Sequence, residues 1–351
     1  MCQRNPDTSP PMASVLRGCC RIHSSCRAAE RRIRSPDRVK AYERKAGDRV
    51  GFLDDLRCSN PQLAVYVDLH VADVSADLEA KFPLFAEYTD HSVAHSRRVL
   101  QITEQLVTES ITDYEKALLI LFAYFHDWGM VVTEKEYADH VSSLGDDENI
   151  QLLIANASVR EGVVDPDLET GKLLLALKHF RDNHAKRSAQ KIMDAHPTDD
   201  PCSYCGEAVY IWDTVARLCE SHGRSVSEIL DDPAISTTTA LGAGVTVDAV
   251  FLCGVSRLAD ACHFSRDRAL PFLRQEIRFL SRRSENIWRF YADIVDTVPD
   301  RGRGRLRVTA TCGNAYIHRA IINSAKELEA ELLKTHHLLS EGNSSYSLVW
   351  N

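Results

Sequence analysis

Apolar residues recur at helical spacing along most of the chain. From about residue 52 onward they follow a three- to four-residue period, and the stripe Val93, Val99 and Ile102 is typical of a helix face packed on a core. Residues 117–125 are apolar without interruption, which predicts a helix buried on every side. Because a membrane-spanning helix needs about 20 apolar residues, this run is too short to cross a bilayer. We therefore expect no membrane association.

Further patterns define the fold class. Helices are predicted over residues 114–130, 173–193, 208–222, 247–262, 284–295 and 317–339. Strand-like patterns occur at 306–311 and 346–350. We predict an all-α fold, a helical bundle with a small α+β C-terminal appendage. Its parts would be a basic leader (1–50), a helical domain (55–298) and a small mixed helix/strand element (300–351). We expect this last element to add nothing to catalysis. Its two strands would either pair with each other under the helix 317–339 or offer an edge to a partner, with the apolar end at 348–350 exposed.

Charge is distributed unevenly. The 351 residues contain 42 Lys and Arg against 50 Asp and Glu, a net charge of −8. Residues 1–50 hold 12 Lys and Arg against 5 Asp and Glu, or +7, which leaves −15 for the remainder. A nucleic-acid-binding domain usually carries its basic surface on the folded part. The leader lacks hydrophobic periodicity and is predicted to be disordered and dispensable, the alternative being an arm for nucleic acid or an acidic partner.

The cysteines and the amino terminus bear on localisation. Eleven cysteines, an odd number, are scattered along a chain without an apolar signal segment. We therefore expect a cytoplasmic protein with reduced thiols. Cys202 and Cys205 have the spacing of a zinc or redox knuckle, but no second knuckle follows, so their role is left open.

Histidines and aspartates interrupt the apolar stripes of several predicted helices. Two histidines four residues apart project from one helix face, and a His-Asp doublet ends the most apolar helix. A buried carboxylate needs a partner or a cation, and imidazole with carboxylate suits a divalent metal. Each histidine alone is more often structural, but the whole set is how a bundle builds an internal metal site. The candidates are His91, His95, His126, Asp127, His184, His222 and Asp260.

With these residues in order, the sequence resembles the HD superfamily of metal-dependent phosphohydrolases. The signature of that superfamily is a histidine, then a His-Asp doublet, then a distal aspartate. His95, His126-Asp127 and Asp260 stand at these positions. The resemblance implies an HD-type helical bundle over residues 55–298.

The remaining histidines narrow the resemblance. His184 and His222 match the two additional histidines of members that bind two metals, and His91 lies where some members have a further ligand. The local sequences around these residues look like the HD-CE group of bacterial conflict and defence proteins, which are often fused to a chaperone-type ATPase. The chain departs from the expected pattern at His263, where an aspartate is expected soon after Asp260.

The resemblance implies hydrolysis of a phosphoester in a nucleotide or a phosphodiester, in bacterial (including antiviral) defence or signalling. A mono- or dinuclear centre would activate a water molecule, with Asp127 as the bridging ligand. Arg181, Arg187 and Arg257 each lie three residues from a candidate ligand and are predicted to neutralise phosphate charge. Ordinary helix-surface arginines are the alternative for each of them.

The implied cofactors are one or two divalent ions per chain: Mn, Fe, Ni, Co, Zn or Mg. The substrate would be a phosphorylated small molecule or nucleic acid, and a partner ATPase or a second copy of the chain is an expected partner. The competing hypothesis is a catalytically silent HD-type nucleotide-sensing or scaffold module that acts with a partner ATPase. Binding and turnover would use the same residues, so the sequence leaves both open.

Overall fold

The computed structural model describes residues 51–80, 87–89, 91–196, 208–269, 274–275, 277, 279–300 and 303–350. The leader 1–50 and the pair Cys202 and Cys205 lie outside the described residues, so the predictions for them stay predictions.

Helices dominate the described part of the chain. They are α1 Phe52–Ser59, α2 Pro61–Ala80, α3 Val93–Leu106, α4 Asp113–Phe125, α5 Glu134–Ser143, α6 Glu148–Glu161, α7 Leu168–Asp182, α8 His184–Ala195, α9 Trp212–Ser221, α10 Val226–Leu230, α11 Ala249–Cys262, α12 Arg282–Asp293 and α13 Ala315–Glu341. Strands β1 Thr239–Gly242 and β2 Val245–Val247 form one antiparallel hairpin, and β3 Ile294–Asp300 pairs with β4 Arg305–Ala310 in a second. The predicted all-α fold with a small α+β region is confirmed.

Helix α4 lies at the centre of the core. Its first turn is fixed by a capping box, in which Thr112 and Glu115 satisfy each other's backbone N–H groups. Every side chain over 117–125 is buried, as the uninterrupted apolar run predicted. The helix ends at Phe125 rather than continuing to residue 130, because the chain turns at His126 and Asp127 into a 3-10 turn, Trp128–Met130.

The predicted helix over 173–193 is divided in two. Helix α7 ends at Asp182, Asn183 leaves the helical conformation (φ −105°, ψ 6°), and α8 begins at His184. The start of α8 packs tightly on the turn after α4. A Cβ atom on Gly129 would lie 2.0 Å from the carbonyl oxygen of His184, so only glycine allows this approach. The break thereby brings His184 next to the His126-Asp127 doublet.

The carboxyl-terminal segment differs from expectation. The partner of β4 is β3, and residues 346–350 form no strand. Trp350 is fully buried, and its Nε1 donates to the carbonyl oxygen of Leu106 at 2.9 Å. The predicted strand and exposed apolar end are therefore wrong. Burial removes the apolar surface of the indole from water, and the bond to Leu106 at the end of α3 pairs its N–H group.

Helix α13 packs on the helical core. Leu328, Leu332, Leu338 and Leu339 belong to the same hydrophobic cluster as the buried residues of α4 and α11. At the other end of α13, Ile317 and Ile321 join Phe290 of α12 in a smaller cluster. The C-terminal element is thus built onto the bundle, with its first turns beside the site described below.

No single helix in the described ranges is both long and apolar enough to span a membrane. One pair of segments in the described ranges, Asp113–Met130 and Glu134–Ser143, is long and apolar enough when the two are counted together, but the pair is bent by 49°.

Candidate metal centre

The candidate ligands lie mostly at helix ends. His126 and His222 are the C-cap residues of α4 and α9, and His184 is the first residue of α8. His95 lies in the first turn of α3, and Asp260 lies in the last turn of α11. Helix ends are suited to orienting ligand histidines. The terminal carbonyl groups of a helix have no partner within it and can accept hydrogen bonds from imidazole N–H groups.

One group consists of His95, His126 and Asp260, whose ligand atoms lie within 4.8 Å of one another. The two Nε2 atoms are 3.1 Å apart. Oδ1 of Asp260 lies 3.3 Å from Nε2 of His95 and 3.8 Å from Nε2 of His126. The two imidazoles are almost fully buried, whereas the Asp260 side chain is 28% exposed. The two imidazoles are therefore shielded from solvent, and solvent reaches this group at the Asp260 carboxylate.

A second group consists of Asp127, His184 and His222. The Nε2 atoms of His184 and His222 are 2.8 Å apart, and Oδ1 of Asp127 lies 3.6 Å from Nε2 of His184. The other oxygen of the same carboxylate, Oδ2, faces the first group, at 3.2 Å from Nε2 of His95 and 3.3 Å from Nε2 of His126. Asp127 therefore presents one oxygen to each group.

The Nδ1 atoms of three histidines determine which nitrogen faces inward. Nδ1 of His126 lies 3.1 Å from the carbonyl oxygen of Ala123, and Nδ1 of His184 lies 2.6 Å from that of Arg181. Nδ1 of His222 contacts the carbonyl oxygen of Cys219 in the same way. Because a carbonyl only accepts hydrogen bonds, each neutral ring carries its proton on Nδ1 and directs an Nε2 lone pair inward.

Charges in the two groups shift the protonation equilibria. Burial alone would lower the pKa of His126, but the Asp127 carboxylate outweighs it and raises the pKa to about 9. Burial opposes the charge on Asp127, yet the surrounding histidines hold its pKa well below the usual range. Burial, together with His184 and His126, lowers the pKa of His222 to about 3. The cluster thus combines an ionised carboxylate with a neutral imidazole ligand and attracts a cation.

Divalent metals fit this donor set. Oδ2 of Asp127 is buried and faces Nε2 of His95 and of His126 at 3.2 Å and 3.3 Å, so these three atoms converge as ligands of one ion would. Paired Nε2 lone pairs at 2.8 Å repel each other unless a proton or a metal ion lies between them. Imidazole nitrogen with carboxylate oxygen is typical of Mn, Fe, Co, Ni and Zn sites and unlike the all-oxygen sites of Ca. The residues present can therefore hold one ion in each group.

His263, which stands where the sequence resemblance leads us to expect an aspartate soon after Asp260, contacts His95. Its Nδ1 lies 2.6 Å from Nδ1 of His95, and the two rings are stacked. Burial and the neighbouring His95 hold the pKa of His263 well below its usual value, so the ring is neutral and can accept the Nδ1 proton of His95. A metal-binding histidine commonly donates its second ring N–H group to a carboxylate or a carbonyl oxygen. For His95, the ring of His263 takes the place of that acceptor.

The structure does not place His91 in either ligand group. Its Nδ1 lies 2.5 Å from the carbonyl oxygen of Thr89, and its Nε2 lies 3.1 Å from a guanidinium nitrogen of Arg268. Since arginine only donates, His91 accepts at Nε2, which is the atom that a metal would need. The assignment of His91 as a ligand does not fit this geometry, in which it holds Arg268 beside the centre.

Two of the three predicted phosphate-binding arginines face elsewhere. Arg187 donates to the carbonyl oxygen of Gly129 at 3.0 Å and pairs with Glu136 at 2.9 Å. Arg257 is buried and pairs with Glu331 at 2.8 Å. Neither lines the cavity above the ligands, whereas Arg181 does. Contact of Arg187 and Arg257 with a substrate at this centre therefore does not fit the structure, and their role is to connect helices.

A cavity of about 820 Å³ lies over both ligand groups. Its floor contains Asp127, His184, His222 and Asp260. Its walls come from elements that are distant in sequence, including α12 and the first turns of α13 through Tyr291 and Tyr316. The expectation that residues 300–351 add nothing at this site does not fit the structure, because α13 forms part of the cavity wall.

Several cavity residues had no motif in the sequence. Arg268 follows the distal aspartate by eight residues, and Arg160 and Arg282 come from α6 and α12. The only signals were the pairs Arg266 with Arg268 and Arg282 with Arg283, which look like any exposed basic run. Their convergence on one cavity depends on how α6, α11 and α12 pack.

Comparison with known proteins gives one result. The HD-CE family model matches residues 85–336, more than half of the chain. The match includes every candidate ligand and extends into α13. No curated protein and no solved structure matches.

Proposed function

The chain belongs to the HD-CE family, and on that premise we propose that it is a metal-dependent phosphohydrolase that cleaves a phosphoester in a nucleotide or a phosphodiester. The observation that supports this most directly is the orientation of Asp127. Its two carboxylate oxygens face two separate groups of imidazole nitrogens, at 3.2 Å and 3.6 Å from the nearest Nε2 atoms. A bridging carboxylate between two such groups is the arrangement that dinuclear hydrolytic centres require.

Divalent ions bound here would lower the pKa of a bound water and accept oxygens of the phosphate. His95, His126 and Asp260 would hold one ion, and His184 and His222 the other, with Asp127 shared between them. Carbonyl groups and His263 fix the rings from behind, so the ligands are oriented before substrate arrives. Asp260 and His184 are 28% and 26% exposed, so both ligand groups open to the cavity.

Arg268 supplies positive charge at the same place. Its guanidinium lines the cavity and donates to Nε2 of His91, a residue whose ring centre is 5.7 Å from that of His95. A phosphate bound at the centre develops additional negative charge as its ester bond breaks, and a guanidinium fixed nearby stabilises that charge. In this proposal Arg268 touches the phosphate, and His91 is a positioning residue that orients Arg268.

A substrate screen tests the proposal. Purified protein loaded with Mn, Ni or Mg is incubated with nucleotides, cyclic dinucleotides and a generic phosphodiester, and products are separated by chromatography. We expect product from at least one class and a loss of at least about 100-fold in Asp127→Asn, which removes the bridging charge. Asp139→Asn is the matched control, because this exposed carboxylate pairs with Lys135 on the surface, and it should retain full activity.

The screen also separates the proposal from its alternative, a nucleotide-sensing or scaffold module acting with a partner ATPase. Tight, metal-dependent nucleotide binding without product would support the module and contradict the hydrolase. Equal product formation by wild type and Asp127→Asn would show that turnover does not depend on this centre. A role in bacterial defence would follow from the identity of the substrate that the screen finds.

A further inference from the structure

The cavity contains more positive charge than a single phosphate requires. Two divalent ions with Asp127 and Asp260 would carry a net charge of about +2, which one phosphate group of about −2 offsets. Yet Arg160, Arg181 and Arg282 also line the cavity, and none forms an ion pair with a residue that the structure describes. These guanidinium groups are available to a further anion.

The three glutamates in the walls, Glu87, Glu161 and Glu327, offset only part of this charge. Two hydrogen bonds from backbone N–H groups, those of Leu280 and Ser281, occupy the carboxylate of Glu87. Glu161 accepts from Ser281 Oγ at 2.8 Å and pairs with Arg283 at 3.4 Å. These carboxylates join α12 to α6 and to the chain before α3. Five arginines line the main cavity against these three glutamates, so the walls keep an excess of two positive charges.

A side lobe indicates where the additional anion would lie. A second cavity of about 360 Å³ adjoins the first, and Tyr88, Arg160 and Arg181 line both. The guanidinium carbon of Arg181 is 4.9 Å from the centre of the Tyr88 ring, which fixes the side chain against an aromatic face. The carbonyl oxygen of Arg181 also accepts from the metal-ligand candidate His184, so this arginine begins one helical turn from the centre.

We propose that Arg160 and Arg181 form a subsite for a second phosphate group of the substrate, where the main cavity meets the side lobe. The inference rests on the proposed function, because it places the first phosphate at the metal centre. The ligand class is a small molecule with linked phosphates, such as a nucleoside polyphosphate. Guanidinium groups suit this task because each can donate two parallel hydrogen bonds to a phosphate.

The charge of the whole chain favours a small ligand over a polynucleotide. Residues 51–351 carry a net charge of −15, so the folded body repels an extended polyanion. The arginines are instead gathered inside a cavity whose volume, about 820 Å³, falls in the range of small-molecule sites. A short chain of phosphates can enter such a cavity without crossing an acidic surface.

Calorimetric titration of the Mn-loaded protein tests this subsite. The probes are inorganic phosphate, pyrophosphate, tripolyphosphate and a single-stranded DNA oligonucleotide. We expect pyrophosphate and tripolyphosphate to bind at least about tenfold more tightly than phosphate. The double variant Arg160→Gln, Arg181→Gln should lose this difference while still binding phosphate. Arg289→Gln is the matched control, because Arg289 lies on α12 outside both cavities and pairs with Glu285 at 2.6 Å, and it should keep the difference.

The outcomes are distinct from those of the hydrolysis screen. Equal affinity for phosphate and pyrophosphate in wild type, or an unchanged difference in the double variant, overturns the subsite. Oligonucleotide binding as tight as that of tripolyphosphate overturns the small-ligand class. Preserved pyrophosphate preference without hydrolysis of any nucleotide would leave the subsite standing and refute only the hydrolase. Mn content and melting temperature are measured for each variant, and the single variant of the exposed Arg160 replaces the double variant if that does not fold.

Discussion

Gly129 is the residue at which a single added methyl group should disturb both stability and the second ligand group. It lies in the turn that follows the His126-Asp127 doublet, directly under the start of α8. An alanine Cβ there would lie 2.0 Å from the carbonyl oxygen of His184 and 2.7 Å from the backbone nitrogen of Ser188. Ordinary contacts begin at 3.4 Å, so α8 would have to move away by about 1.4 Å.

That displacement would break the hydrogen bonds that join the turn to α8. Ser188 Oγ accepts from the Gly129 N–H at 2.7 Å and donates to the carbonyl oxygen of His126 at 2.6 Å. Overpacking costs about 1–3 kcal/mol, and each of the two hydrogen bonds contributes about 1 kcal/mol. Alanine restricts the unfolded chain more than glycine does, and this stabilisation offsets up to about 1 kcal/mol of the loss. The net expectation for Gly129→Ala is a loss of about 3 kcal/mol in the free energy of unfolding.

The assay combines urea unfolding with metal analysis. Because the clash involves the backbone of His184, Gly129→Ala should lose the ion of the second group and keep the ion held by His95, His126 and Asp260. Gly313→Ala is the control, since a Cβ there has no atom within 4 Å, and its stability should change by less than about 0.5 kcal/mol.

An unchanged urea midpoint with two ions per chain in Gly129→Ala would refute the reasoning. If that variant does not fold, Ser188→Ala applies a smaller perturbation to the same contact. It removes both hydrogen bonds without a clash, with an expected loss of about 2 kcal/mol.

Four further predictions concern the metal ligands and the core. His184→Ala should lower the metal content from two ions per chain to one by elemental analysis, whereas His179→Ala, outside both ligand groups, should retain two. With the pKa of His126 near 9, the metal-free site holds a proton at pH 7. Calorimetry in buffers of different ionisation enthalpy should therefore detect about one proton released on metal binding, and absence of release would contradict this protonation state. Because this folded-state pKa is raised, the stabilisation of the metal-free protein by His126 is complete below about pH 6.5 and is lost as pH rises through about 9. Trp350→Ala should lower the free energy of unfolding by about 3–5 kcal/mol, while Val349→Ala, 47% exposed, should have little effect, and equal urea midpoints for the two would contradict the buried position of Trp350.

Much of the centre could be predicted from the sequence because its chemistry resides in local spacing. The His-Asp doublet follows the most apolar predicted helix, and a buried carboxylate at such a place needs a charged partner or a cation. His95, His184, His222 and Asp260 could be selected in the same way, as polar residues that interrupt apolar stripes. The structure brings these six side chains into two adjoining groups.

Roles that depend on direction could not be predicted in this way. His91 lies four residues before His95 and looks equivalent in sequence, but α3 begins only at Val93, and Nε2 of His91 accepts from Arg268, which is 177 residues away. Arg187 and Arg257 have the same spacing from ligands as Arg181, yet only Arg181 points into the cavity. Helical periodicity specifies which residues share a face, but the neighbours of that face depend on tertiary packing.

The carboxyl-terminal region shows the same limit. An alternating, apolar pattern at residues 346–350 is compatible with a strand, but a strand needs a partner, and β3 already pairs with β4. Residues 346–350 instead bury Trp350 beneath Leu106, a contact across 244 residues of sequence. The amino-acid sequence by itself therefore determined the helical class, the central helix and the six residues of the two candidate ligand groups, because each depends on local periodicity and residue chemistry. Only the tertiary structure decided which arginines face the cavity over the candidate ligands and where residues 346–350 pack, because both depend on contacts between distant segments.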